Sequence, residues 1–224
     1  GTGVYEILQE NRNEVYRYLG NDIITSKVLV RTLNKDRKFS IDDEILTDNF
    51  DDILEDRDIK IVVELMGGID PAYEYIKKAI NHGKHIVTAN KAIIATHGKE
   101  LEELAKKKGV FIKYEASVGG GIPIISTLME SLAANKIQEI IGIINGTTNY
   151  ILTQMTSENL SFEEALKLAQ DNGYAEADPT SDIEGEDAAF KISILTAISY
   201  GLNVSSDIIE REGITKIQKS DIEY

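Results

Sequence analysis

Short apolar runs rich in β-branched residues, each followed by a polar corner, recur through the first half of the chain and confine its choice of fold. IKIVVELMGG, HIVTAN and VFIKYEA read as strands, and PAYEYIKKAINHG and KAIIATHGKELEELAKKKG between them read as amphipathic helices. Strands separated by helices return to a sheet in the same direction, so the series implies parallel pairing with right-handed crossovers. Ligands of such sheets bind beyond the carboxyl ends of the strands. Candidate ligand contacts therefore gather around Arg31, Gly67, Asn90 and Gly119.

The remaining elements extend the α/β pattern. Apolar positions at three- and four-residue intervals predict one helix from Val4 to Gly20, a strand from Lys27 to Leu33 and a short acidic helix near Asp51 to Glu55. The run Ile59 to Val63 has the character of a buried parallel strand, and Gly67 and Gly68 follow it where backbone can approach a ligand. Gly119, Gly120 and Gly121 precede a helix that starts near Pro123 and runs to Lys136, and Ile137 to Ile144 then offers a strand. A soft domain boundary is placed near residue 135. Ser161 and Glu164 have capping-box spacing, Gly173 ends that helix, and acids from Glu176 to Asp187 lead into a largely apolar helix.

Composition excludes several classes of function. In 224 residues, 38 acids against 24 Lys and Arg leave a net charge of -14, which disfavours nucleic acid and anionic membrane as partners. Without cysteine there is no disulfide and no thiolate chemistry. No signal peptide or membrane-spanning run is visible, so a soluble cytoplasmic protein is expected. His82, His85 and His97 lack the spacing of a metal site.

Asp187 and Lys191 lie one helical turn apart on a face continued by Ile194 and Ile198. Desolvation there could make the Lys191 proton available for acid/base chemistry, while the bland alternative is a helix ion pair worth about 0.2 to 0.5 kcal/mol. Glu176, Asp178, Asp182, Glu184 and Glu186 either face solvent or share the binding of an amino-bearing substrate. Thr88 to Lys91 form a strand-to-helix corner able to organise a polar ligand, and Asn145 to Asn149 suit a turn and helix cap. Arg31 can meet an adenosine phosphate or remain in solvent, and Glu115 with the carbonyls from Val118 to Ile122 can bind a hard monovalent cation or form a strand-end turn. Gly1, Thr2 and Gly3 are a short glycine pattern without the strand and phosphate loop of a complete dinucleotide site upstream.

VVELMGG, HIVTANKA, YEASVGGGIPI, GIINGTTNYIL and GYAEADPTSDIEGEDAAFK, in this order and followed by REGI at Arg211 to Ile214, resemble the core motifs of homoserine dehydrogenase along nearly the whole chain. The resemblance implies a Rossmann-like NAD(P)-binding domain over residues 1–135, incomplete at its amino end, and part of an α/β catalytic and dimerisation domain over residues 136–224. It implies reversible reduction of L-aspartate 4-semialdehyde to L-homoserine, a step of threonine and methionine biosynthesis, by a homodimer. Lys191 matches the proton donor, Gly173, Glu176, Asp182 and Asp187 the substrate contacts, and Gly1, Arg31, Gly67, Thr88, Asn90 and Lys91 the cofactor contacts. Arg31 favours NADP(H) while NAD(H) remains possible. Glu115, Val118, Gly120 and Ile122 match a sodium-associated loop of structural role. The resemblance also implies that the chain is cut short at both ends: a late glycine that closes the family's nicotinamide site has no match, and no aspartate-kinase or ACT domain is visible. Another small-substrate nicotinamide dehydrogenase, or a non-catalytic nucleotide-binding or oligomerisation fragment, are the alternatives.

Overall fold

In a computed structural model, which describes residues 1–33, 35 and 40–222, two helices stand where Val4 to Gly20 predicted one. α1 (Thr2–Glu10) and α2 (Arg12–Leu19) meet at Asn11, whose φ of -101° and ψ of 23° lie outside the helical well. Asp22 holds the guanidinium of Arg12 with two hydrogen bonds of 2.8 and 2.9 Å, fixing the second helix against the chain that leaves it. The strand expected over Lys27 to Leu33 forms as the shorter β1 (Val28–Leu29), parallel to β2 (Leu46–Thr47), and Val30 N extends the pairing by donating to the Thr47 carbonyl at 2.8 Å.

A second, three-stranded sheet carries the predicted βα series. After α3 (Asp51–Leu54) come β3 (Ile61–Glu64), α4 (Ala72–Asn81), β4 (His85–Thr88), α5 (Lys91–Lys108) and β5 (Ile112–Lys113). All pairings are parallel in the order β3-β4-β5, with Val62 opposite Ile86, Glu64 opposite Thr88, and Ile86 opposite Ile112. Because side chains alternate along a strand, that register turns Ile86, Ile112, Glu64 and Thr88 inward together. Ile61, Val63 and Val87 turn the other way and are exposed, Val63 at 43%. The run from Ile59 to Val63 is thus parallel, as expected, but only one face is buried among the described residues.

The entry to β4 is tied down from below. Lys84 is buried, and its ammonium donates to the carbonyls of Asp56 at 2.7 Å and Ile59 at 2.9 Å. Burial pushes its pKa below the ordinary lysine value.

Beyond β5 the chain becomes helical. α6 (Ile124–Ser126) passes into a π-helical turn at Thr127–Ser131, and the helix predicted to continue to Lys136 ends there. The strand predicted from Ile137 to Ile144 is absent, since these residues pair with no strand among those described; Ile141 is 83% exposed. Strand formation needs a partner edge, which apolar content alone does not provide. α7 (Gly146–Ser157) and α8 (Phe162–Asp171) then pack through Ile151, Met155, Ala165 and Ala169, joined by Ala175 and Ile214. The predicted capping box forms, with Glu164 accepting from Ser161 N at 2.8 Å and Ser161 Oγ accepting from Glu164 N at 3.3 Å. α9 (Thr180–Ile183), α10 (Glu186–Tyr200) and α11 (Lys219–Ile222) complete the order.

The compact units divide the chain elsewhere than at the soft boundary near residue 135. Residues 1–88 and 100–113 form one unit, and residues 89–99 and 114–224 the other. α5 therefore contributes its first half to the second unit and its second half to the first, an exchange that a reading along the sequence does not reveal.

Ile151 is fully buried in the α7–α8 core and Ile208 is largely exposed. Ile151→Ala should lower stability by about 2 to 5 kcal/mol in urea unfolding, and Ile208→Ala by no more than about 0.5 kcal/mol.

Candidate active site

The start of α10 organises the polar centre of the second unit. Gly185 enters the helix with φ 79°, a left-handed turn that a side chain would strain. Gly213 lies so close that an added Cβ would sit 2.5 Å from Glu184 Oε2 and 2.9 Å from the Ile183 carbonyl, so the REGI segment closes directly over the corner between α9 and α10. Ile214 N donates to that same carbonyl at 2.8 Å. This corner places Asp187 in the first turn of α10, where the helix dipole favours negative charge, and Lys191 one turn further on.

Asp187 is the hub. Its side chain is only 6% exposed, with Lys91 Nζ 2.9 Å from Oδ1 and Lys191 Nζ 2.5 Å from Oδ2. Lys191, 16% exposed, also donates to the Ile144 carbonyl at 2.5 Å. Asn145 supplies a third donor to Asp187: its Nδ2 reaches Oδ2 at 2.9 Å and Asp182 Oδ1 at 2.7 Å. Burial pushes the Asp187 carboxyl up, but hydrogen bonds from Lys191, Lys91 and Asn145, with the charge of Lys191, more than offset it. The pKa lies below the ordinary aspartate value.

Asp182, Asp187 and Lys191 face an open cavity of about 610 Å³, with Asn145, Gly173 and Tyr174 also in its wall. That volume lies within the range of small-molecule sites. Tyr150 and Tyr174 stack with centroids 4.4 Å apart, Thr147 Oγ1 donates to the Tyr174 carbonyl at 2.8 Å, and Gly173, with φ 75°, makes the turn out of α8. One ammonium, two carboxylates and an aromatic wall thus line a cavity of a size and polarity suited to a small polar ligand.

Family comparison agrees with this chemistry. Residues 123–224 match the homoserine dehydrogenase family, and residues 1–115 match the family described as homoserine dehydrogenase, NAD binding domain. The chain belongs to the homoserine dehydrogenase family. It is 50% identical to the homoserine dehydrogenase of Synechocystis over 100% of its own length and 51% of that protein's. The crystal structure of a homoserine dehydrogenase from Thiobacillus denitrificans superposes with a TM-score of 0.89 and 44% identity, covering 99% of this chain and 51% of that one. A hyperthermophilic archaeal homoserine dehydrogenase in complex with NADPH matches 77% of this chain and 53% of its own, with a TM-score of 0.68 and 34% identity. The chain thus spans about half the length of the curated relatives it matches.

Against the residues that the family motifs single out, the structure gathers Lys91, Asp182, Asp187 and Lys191, with Gly173 on the same cavity wall. Glu176 is exposed and lies outside that lining; its carbonyl accepts from Gln170 Nε2 at 3.2 Å. Asn90 is buried, and its Oδ1 accepts from Ile93 N at 3.3 Å, capping α5 behind Lys91. In the first unit Arg31 is exposed just after β1, and Gly67 is exposed after β3 with open space where a Cβ would stand. The Gly1 carbonyl accepts from Val4 N at 3.1 Å and Tyr5 N at 3.2 Å, starting α1. Thr88 is fully buried and its hydroxyl donates to Glu64 at 2.6 Å.

Two residues escaped sequence reasoning. Asn145 stood out only as a cap, which it is, since its Oδ1 accepts from Thr148 N at 2.8 Å; its grip on two acids is long-range. Glu64, the buried carboxylate ending β3, accepts from Met66 N and Thr88 Oγ1, each at 2.6 Å, and ties the loop before Gly67 to β4. An acid closing an otherwise apolar strand was its only local signal.

Because the folded pKa of Asp187 is depressed, its ionisation adds stability that is complete above the unfolded value of about 3.9 and is lost as pH falls through the folded value. Urea midpoints measured from pH 6 downward should therefore fall less steeply for Asp187→Asn than for the unmodified chain in the region below about pH 4.

Proposed function

We propose that these residues belong to an enzyme that reversibly reduces L-aspartate 4-semialdehyde to L-homoserine with NAD(P)H. The observation that carries the reading is the Lys91–Asp187–Lys191 array beside the cavity in a chain of this family. A bound nicotinamide cofactor supplies the hydride. As the aldehyde carbon accepts it, negative charge gathers on the aldehyde oxygen, where the Lys191 ammonium stabilises and then protonates it. Asp187 holds that ammonium and the Lys91 ammonium at fixed positions, and its oxygens already accept three side-chain donors. Asp182, which accepts from Asn145, keeps more capacity for the substrate ammonium. Glu176 and the Gly173 backbone complete the proposed substrate contacts.

The residues of the first unit fit a dinucleotide. The strands run parallel, Gly67 exposes its backbone beyond the carboxyl end of β3, and Arg31 is exposed after β1. Gly1, Arg31, Gly67 and Thr88 are its proposed contacts in this unit, and the family motif adds Asn90 and Lys91, which belong to the second unit. The match to the family's NAD binding domain and the NADPH complex of the archaeal relative support a nicotinamide cofactor, and the Arg31 guanidinium supports preference for the extra phosphate of NADP(H).

The loop after β5 offers oxygen donors suited to a hard cation such as sodium. Ile125 N and Ser126 N each donate at 2.8 Å to a different oxygen of Glu115, orienting the carboxylate, and Gly119 and Gly120 take φ of 79° and 59°. Glu115 with the Val118, Gly120 and Ile122 carbonyls would hold the ion, whose charge would order the loop. No group of three or more His, Cys, Asp or Glu side chains is placed to hold a metal ion among the described residues, so a single carboxylate and backbone would do this work. The reading includes a cytoplasmic homodimer that binds neither nucleic acid nor membrane. Its support is the family, the net charge of -14, and the lack of any helix long and apolar enough to cross a membrane among the described residues.

The test is identification of homoserine formed from aspartate semialdehyde and NADPH by the full-length protein carrying these residues. Lys191→Met should retain NADPH binding while the hydride-transfer rate falls about 10² to 10⁴-fold, and transfer near the unmodified rate by a folded variant would remove Lys191 as the acid. Arg31→Ala should weaken NADPH use more than NADH use; equal losses would argue against phosphate pairing.

A further inference from the structure

Among the described residues, Asn145 is the one uncharged side chain that hydrogen-bonds both acids of the cavity, and it does so from a fixed base. The residue is buried, with extended φ of -130° and ψ of 121°, and its Oδ1 accepts from Thr148 N at 2.8 Å and from Thr148 Oγ1 at 3.1 Å. Those bonds fix which end of the amide faces α7, so Nδ2 must face the acids. It meets Asp182 Oδ1 at 2.7 Å and Asp187 Oδ2 at 2.9 Å. The preceding peptide adds a second hold, because the Ile144 carbonyl accepts from Lys191 Nζ. One dipeptide thereby touches the general acid, its carboxylate partner and the neighbouring acid, anchored in the first turn of a 12-residue helix.

Two carboxylates that share an amide group are held apart at a spacing set by that amide, and neither can swing to take the other's ammonium. We propose that Asn145 is a positioning residue of the reaction: by bridging Asp182 and Asp187 from the cap of α7, it keeps Asp187 turned between Lys91 and Lys191 and so sets where the Lys191 proton points. The proposal rests on the homoserine dehydrogenase reading. It adds a residue whose effect reaches the aldehyde only through other side chains.

Asn145→Ser and Asn145→Asp separate this role from capping. Serine and aspartate both cap helices well, so the bond to Thr148 N can persist, yet neither supplies the amide donors. Aspartate also sets a third carboxylate against Asp182 and Asp187. In the full-length protein, single-turnover hydride transfer from NADPH should fall about 10²-fold in Asn145→Ser, the order expected when a reacting group is misplaced. The loss should be at least as large in Asn145→Asp, while the NADPH dissociation constant measured by nucleotide fluorescence stays within about twofold and the urea midpoint changes little. Transfer within about threefold of the unmodified rate in either folded variant overturns the proposal. So does a loss matched by an equal weakening of NADPH binding, which would mark a general structural role. If Asn145→Ser does not fold, Asn145→Asp decides alone by the same criteria. An unmodified protein that forms no homoserine would instead defeat the underlying function.

Discussion

A carboxylate buried between two ammonium groups cannot be left unpaired, and this constraint at Asp187 organises the second unit. Losing one partner of a buried ion pair typically costs about 3 to 5 kcal/mol, because the other charge is then stranded away from water. Lys91 from the start of α5, Lys191 from the next turn of α10 and the Asn145 amide at the cap of α7 meet that demand together. Three elements far apart in sequence are fixed relative to one acid, and the cavity wall follows from their meeting. The same arrangement that satisfies the charge also sets the Lys191 ammonium at the cavity wall.

The first unit holds a smaller version of the same logic. Glu64 ends β3 facing inward because alternation along the strand puts it on the buried face opposite Thr88. Its two oxygens take the Thr88 hydroxyl and the Met66 amide, so the loop that leads to Gly67 is tied to the neighbouring strand instead of leaving the sheet freely. Exposed backbone at Gly67 is thus presented from a fixed base. The buried polar groups at both strand ends are satisfied by each other, as buried groups generally must be.

What could be read from the sequence was local. The βα series with its parallel order, the capping box at Ser161 and the one-turn spacing of Asp187 and Lys191 depend on neighbours a few residues away, and each is present. The family motifs pointed to Lys91, Asp182 and Gly173, which join the same array or cavity wall, but periodicity held no sign that Lys91 pairs with Asp187. Asn145 was legible as a cap and silent as a bridge, since the acids it holds lie in α10 and α9. The apolar run from Ile137 to Ile144 misled because a strand is defined by its partner, and no described residue supplies one. The compact units follow contacts that divide α5, and no local pattern in the sequence marks that division.

The central claim is that Asp187 and Lys191 act as one device, and a double-mutant cycle on single-turnover hydride transfer tests it. The rates to compare are those of the unmodified full-length protein, Asp187→Asn, Lys191→Met and the double variant, all at saturating NADPH. If the carboxylate works by holding the ammonium, removing it after Lys191 is gone should cost little, and the double variant should be about as slow as Lys191→Met alone. Losses that multiply would show that the two residues act independently and would contradict the account.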